Sequence, residues 1–269
     1  MKRILVLVVL NAALYAGFVL LDILGALDVP IPDPSPSNVM KYAAIVSCLL
    51  ITLFSASKNK RVPPVTQGAQ GSTQGDAQNK TSSCVMLRAA RIQTVVFAIT
   101  LVADFFLLFT DHFVVGLLVF LLAHLTALFR YKPRWVPLFA AAAGALCVAA
   151  LIVGRSYHSE FQLMRFVLLC AAYAIVILGV LISVFKTSQP RGNTLLSRAG
   201  MILFLCCDIN VFFSNFLSRG AAYYEPALVL MWVFYLPAQT MLALSAVSFR
   251  GVPAVSSAEG GTRGGRRRE

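Results

Sequence analysis

Residues 92–110 read IQTVVFAITLVADFFLLFT. The run is as long as the ~20 residues that carry a helix across a ~30 Å hydrocarbon layer. It contains neither Pro nor Gly, and its one charge is Asp104. Apolar stretches of similar length recur at 4–27, 38–56, 113–130, 136–154, 163–186, 197–218 and 227–247. The 269-residue chain is 58% hydrophobic and only 13% charged, with a mean hydropathy of +0.78, whereas soluble domains carry about a quarter charged residues. The pattern predicts an all-α polytopic membrane bundle of about eight transmembrane helices over residues 1–250, with no soluble catalytic unit. The first run is longer than a signal-peptide core and lacks a clear small-x-small cleavage site, so it is taken as a span.

Two stretches break the apolar pattern. Residues 57–91 are rich in Gly, Gln, Ser and Lys and read as a flexible loop within the membrane domain; residues 251–269 read as a disordered basic tail. The basic residues gather in alternate connections. Lys2 and Arg3 precede the first span, Lys58, Lys60, Arg61, Lys80, Arg88 and Arg91 lie in the long loop, and Arg130, Lys132 and Arg134 follow the fourth span. Lys186, Arg191 and Arg198 follow the sixth, and Arg250, Arg263, Arg266, Arg267 and Arg268 follow the eighth. Of the 23 lysines and arginines, only Lys41, Arg155, Arg165 and Arg219 fall on the other side. That bias places both termini in the cytoplasm. It also accounts for the net charge of +12 without a nucleic-acid partner. The sequon at Asn79 falls on the cytoplasmic side and is expected to remain unmodified.

An aspartate at the centre of a membrane helix costs roughly 2.5–3.5 kcal/mol on insertion scales, so its neighbours at the same depth matter. Asp22, Lys41 and Asp104 fall in the outer half. His124, Tyr235 and Gln239 fall near mid-depth, and Asp208 stands midway along the seventh span with Asn210 and Asn215 above it. Intramembrane charges face a bundle interior or a wet cavity, which predicts a polar pocket opening outward around Asp104 and Asp208. Asn210, Asn215 and Asp22 fit interhelical hydrogen-bonding glue instead. An internal echo links the halves: VADFFLLF then FLLAHLTALF, and LCCDINVFF then FYLPAQTMLALS. Each is an Asp on one helix followed by Ala-His or Ala-Gln on the next. Two parallel four-helix repeats around one site would explain it, although two short matches are also within reach of coincidence.

At these residues the chain resembles the lysoplasmalogenase family, the YhhN-like integral membrane proteins. The resemblance runs from about Lys41 to Ser248 and rests on MKYAAIVSCLL, ADFFLL with FVVGLLVFLLAH, CDINVFF and WVFYLPAQTMLALS in that order. It implies hydrolysis of the vinyl-ether bond of a lysoplasmalogen, an alkenyl lysophospholipid, to a fatty aldehyde and a glycerophospho-base. The family's polar positions fall on Lys41, Asp104, His124, Asp208, Tyr235 and Gln239. Where the commoner family forms have Gly, Ser and Tyr, this chain has Ala103, Cys207 and Ala127, which bears on substrate choice more than on the chemistry. The membrane expected is the cell membrane of a bacterium or the endoplasmic reticulum of a eukaryote.

A vinyl ether resists nucleophiles until its β-carbon is protonated, so the reaction needs a neutral acid and a nearby anion. Two carboxylates in unlike surroundings meet both needs, which makes Asp104 and Asp208 the expected catalytic pair. Lys41 and His124 are expected to set charge states or grip the phosphate, and Tyr235 and Gln239 to hold water or the glycerol hydroxyl. No cofactor and no metal is expected: Asp111, His112 and His158 lack ligand spacing and read as solvated surface. The alternative is a transporter or channel for a small polar or lipid-like solute using the same buried charges.

Overall fold

The computed structural model describes residues 2–26, 36–60, 75–110, 112–155, 159–187, 191–218 and 221–247. The described chain is helical, with no strand among those residues. Helix α1 spans Lys2–Ala26, α2 Pro36–Lys60, α3 Gly75–Phe109 and α4 Phe113–Tyr131; α5 spans Val136–Val153, α6 Ser159–Lys186, α7 Arg191–Phe216 and α8 Tyr224–Leu244. All 8 are long and apolar enough to cross a membrane. Proline marks two starts. Pro36 opens α2 and Pro137 sits in the first turn of α5, where the missing N–H costs nothing because that donor has no helical partner anyway. A single 3₁₀ turn, Pro133–Trp135, joins α4 to α5.

The expected loop at 57–91 is partly helical. Helix α2 continues to Lys60 and α3 begins at Gly75, well before its apolar segment. The stretch leading into the span includes Ala, Gln, Met, Leu and Arg, all good helix formers, so the helix extends beyond the oily part. Residues 61–74 and 251–269 lie outside the described residues, as do Asp111 and His158.

Burial is inverted relative to a soluble domain. Val6, Leu138, Leu151 and Leu195 are each more than half exposed, whereas Asn11, Lys41, Gln93, Asp104, His124 and Gln239 are buried. Apolar side chains facing lipid and polar ones facing each other is the arrangement a bilayer enforces.

Helix pairing repeats after a shift of four helices. The pairs α1–α2, α2–α3 and α3–α4 match α5–α6, α6–α7 and α7–α8, while α2–α8 and α1–α8 match α6–α4 and α5–α4. The bundle is therefore built from two parallel four-helix halves about an approximate two-fold axis. Helices α1 and α5 are the least buried spans and lie at the periphery. Close approach within the hairpins depends on glycine. A Cβ on Gly116 of α4 would meet Leu107 at 2.6 Å, and one on Gly200 of α7 would meet Leu242 at 3.0 Å and the Ala238 carbonyl at 3.1 Å. Below, the membrane face at which α1 begins is the N-terminal face.

Candidate active site

Asp104 lies on α3 within the half of the bundle away from the N-terminal face, and it is 2% exposed. The Tyr235 hydroxyl of α8 donates to its carboxylate, 2.9 Å from Oδ1 and 2.8 Å from Oδ2. Tyr235 is itself held by aromatic packing, with Trp232 at 5.4 Å, Phe204 at 5.6 Å and Phe120 at 6.3 Å between ring centroids. One helical turn along α8, Gln239 lies close to the same hydroxyl. Between the two stands Pro237. Lacking an N–H, it frees the carbonyl of Val233, which the Tyr15 hydroxyl of α1 takes up at 3.2 Å.

Asp208 on α7 is the counterpart in the second half, and it is only partly buried. Its Oδ2 accepts from the Tyr173 hydroxyl of α6 at 3.0 Å. The two-fold relation is approximate here. In the register that aligns His124 with Gln239, Tyr235 corresponds to Phe120, which has no hydroxyl, so the donor for Asp208 comes from a different helix. Among the described residues no cation pairs with either carboxylate. Tyr173 and Cys207 each lie within electrostatic range of both Asp104 and Asp208, so the two acids flank one region of the interior.

His124 on α4 completes that region. Its Nδ1 is 2.9 Å from the Phe120 carbonyl; a carbonyl only accepts, so Nδ1 carries the proton and Nε2 of the neutral ring is an acceptor. The ring packs edge-to-face on Tyr173 at 5.3 Å and on Phe204 at 4.9 Å. His124 and Gln239 then face a common cavity of about 20 Å³, lined also by Gln93, Thr100, Tyr131 and Phe204. Neither carboxylate is part of its wall. Each is one residue removed: Gln239 leads through Tyr235 to Asp104, and His124 leads through Tyr173 to Asp208.

Lys41 takes a different place from the one expected of it. Its Nζ lies 2.8 Å from Oδ2 of Asp22 and 3.0 Å from Oδ1, and Ser37 donates to the same carboxylate at 2.5 Å. The ammonium also lies 4.6 Å from the Trp232 ring and 5.7 Å from the Phe18 ring. Its charge is thus balanced by Asp22 and by aromatic faces, and Trp232 in turn packs against Tyr235, the donor to Asp104.

Of the residues singled out in the sequence, Asp104, Tyr235 and Gln239 form one connected group, while Asp208 and His124 join a second through Tyr173. Tyr173 was not anticipated, because it sits in the oily run LCAAYAIVILG. The available signal was general: a tyrosine inside a span needs a partner for its hydroxyl. Asp22 acts as glue, as expected, with Lys41 as the group it holds.

Eight apolar helices around a polar interior define a multi-pass integral membrane protein with a candidate site inside the bundle. The model of the YhhN family matches residues 83–246, more than half of the chain, and the chain belongs to the YhhN family. Asp104, His124, Asp208, Tyr235 and Gln239 fall inside the matched region. Lys41 falls outside it, with all of α1 and α2. No curated protein and no solved structure matches the chain.

Proposed function

We propose that this protein is an ether hydrolase that cleaves the vinyl-ether bond of a lysoplasmalogen within the bilayer. The observation that carries the reading is the pair of aspartates. They come from matching helices of the two halves, each is held by a tyrosine, neither has a balancing cation among the described residues, and both flank an interior that also holds a histidine. Keeping a carboxyl in a membrane interior is costly, and two of them so placed suit chemistry that needs an acid and an anion together.

The reaction runs in three steps. One carboxyl gives its proton to the β-carbon of the C=C–O unit, and the π electrons form the new C–H bond, leaving an oxocarbenium ion at the α-carbon. The ionised carboxylate stabilises that cation. Water then bonds to the α-carbon and loses a proton to a carboxylate, giving a neutral hemiacetal. Finally the hemiacetal O–H proton leaves as the C=O bond forms, and the glyceryl oxygen departs with a proton from the acid. The products are a fatty aldehyde and a glycerophospho-base, with one water consumed and no cofactor needed.

A cavity of about 20 Å³ admits water but not a lipid, so the lipid reaches the carboxylates from the other half of the membrane, where Asp208 is partly exposed. Under this reading the basic N-terminal face is cytoplasmic and the substrate's head group lies toward the opposite face, near Lys41. Purified protein in lipid nanodiscs, given lysoplasmalogen, should release aldehyde. Asp104→Asn and Asp208→Asn, each monodisperse, should each lose at least about 100-fold, the scale of a lost acid–base group. Full activity in either variant refutes the pair.

A further inference from the structure

The cavity has a feature that the hydrolase reading leaves unexplained. Tyr131, at the N-terminal-face end of α4, is 7% exposed, and its hydroxyl is buried with no partner among the described residues. A buried hydroxyl without a hydrogen bond costs about 1–3 kcal/mol. Its residue, Tyr131, is part of the cavity wall. Other walls of the same space present Gln239, Thr100, Gln93 and the His124 ring. The volume is that of one water, since a site of about 10–15 Å³ open to water centres is enough for one, and such a water needs two to four polar partners, which this wall supplies.

Its position is set by both halves of the fold. In the register that aligns Asp104 with Asp208 and His124 with Gln239, Thr100 falls on Phe204 and Ala127 on Leu242. All of these except the aspartates line the cavity, so it lies on the approximate two-fold axis. Thr100 is four residues before Asp104 on α3, and Phe204 four before Asp208 on α7. Residues so spaced share a helix face one turn apart, about 5.4 Å along the axis. The cavity therefore sits one turn nearer the N-terminal face than both carboxylates. Of its wall residues, Gln93 is held by Arg130, which donates to it at 2.6 Å and to the Ser245 carbonyl at 3.0 Å.

We propose that this cavity is a dedicated water site, supplying the water consumed at the carboxylates, with Tyr131 as a further positioning residue that anchors the water from below. Its role in hydrolysis rests on the reading above; its existence does not. The water donates to Nε2 of His124 and exchanges hydrogen bonds with Tyr131 and Gln239. From there it moves one turn toward the aspartates, where its oxygen bonds to the oxocarbenium carbon and its proton passes to a carboxylate. Lipid and water thus approach the carboxylates from opposite halves of the membrane, so the cation meets its intended nucleophile while bulk water is kept away.

The test is X-ray radiolytic labelling of the full chain in nanodiscs, in which hydroxyl radicals made from bound water oxidise the side chains beside it. Phe204 and Phe18 are the same residue type and are 3% and 0% exposed, but only Phe204 borders the cavity. Phe204 should label about tenfold faster than Phe18, with Tyr131 and Met201 labelled alongside it, because an ordered buried water is a fixed local source. Ala127→Leu fills the space and should abolish the excess. Tyr131→Phe keeps the ring and should lower the excess at Phe204 without shifting the melting temperature, a result that loss of packing would not give. Aldehyde release with no excess label in the unaltered protein overturns the water site and leaves the hydrolase reading standing. Excess label without aldehyde release keeps the site and overturns its role in hydrolysis.

Discussion

Replacing Tyr235 by Phe removes one oxygen and leaves the ring contacts with Trp232, Phe204 and Phe120 in place. The lost hydroxyl makes both hydrogen bonds given to Asp104, at 2.9 and 2.8 Å, and Asp104 is 2% exposed, so bulk solvent does not take its place. Where Asp104 is the ionised member of the pair, a hydrogen bond to a charged group contributes about 1.5–3 kcal/mol, and each 1.4 kcal/mol is tenfold in rate, so kcat/KM should fall about 10- to 100-fold. Tyr173→Phe removes the matching bond to Asp208. Asp208 as a residue is less completely buried than Asp104, which leaves more room for a water to substitute, and the loss should be smaller, about three- to tenfold. Aldehyde release from lysoplasmalogen in nanodiscs measures both. A fall of less than about twofold for Tyr235→Phe, or a larger effect at Tyr173 than at Tyr235, would refute the claim that burial makes the Asp104 pair the more dependent on its tyrosine.

Three further perturbations test the scaffold. Asp22→Ala leaves Lys41 buried without its ion-pair partner and should cost about 3–5 kcal/mol of stability; thermal unfolding should show that the Asp22→Asn/Lys41→Met double variant regains much of it. Gly200→Ala places a Cβ against Leu242 and the Ala238 carbonyl, and backbone does not move aside as a side chain does; overpacking of about 1–3 kcal/mol should appear as a lower melting temperature and a wider α7–α8 separation between paired spin labels. Asn193→Ala removes the donor to the carbonyls of Ser245 and Val247, at 2.7 and 3.0 Å. Hydrogen exchange at 245–247 should then accelerate while the centre of α8 remains protected.

The spans were legible because length and hydropathy suffice to define them, and the paired Asp elements disclosed the repeat that the helix pairing displays. The break in symmetry was not legible. Nothing in the text of α6 says that Tyr173 supplies the hydroxyl for Asp208 while Tyr235 of α8 supplies it for Asp104, because that depends on how the helices are rotated about their axes. The partner of Lys41 was missed for a related reason. Asp22 and Lys41 were assigned to the same depth, but depth alone does not say which of several acids in the outer half a lysine reaches. Start points were the least secure part of the reading: α3 begins at Gly75, because helix propensity continues after hydropathy has fallen away.

Pro237 gives α1 a part in the completion of α8. The Val233 carbonyl that the proline strips of its partner is met by Tyr15, and one turn farther along, Asn11 donates to Thr240 at 2.8 Å. These contacts, with the Lys41 pair beside Trp232, lie on helices that precede the matched segment 83–246. That segment expressed alone would carry both aspartates yet expose an unsatisfied carbonyl to hydrocarbon. A gene cut in the α2–α3 connection and supplied as two fragments should reassemble in the membrane, whereas the larger fragment by itself should not persist.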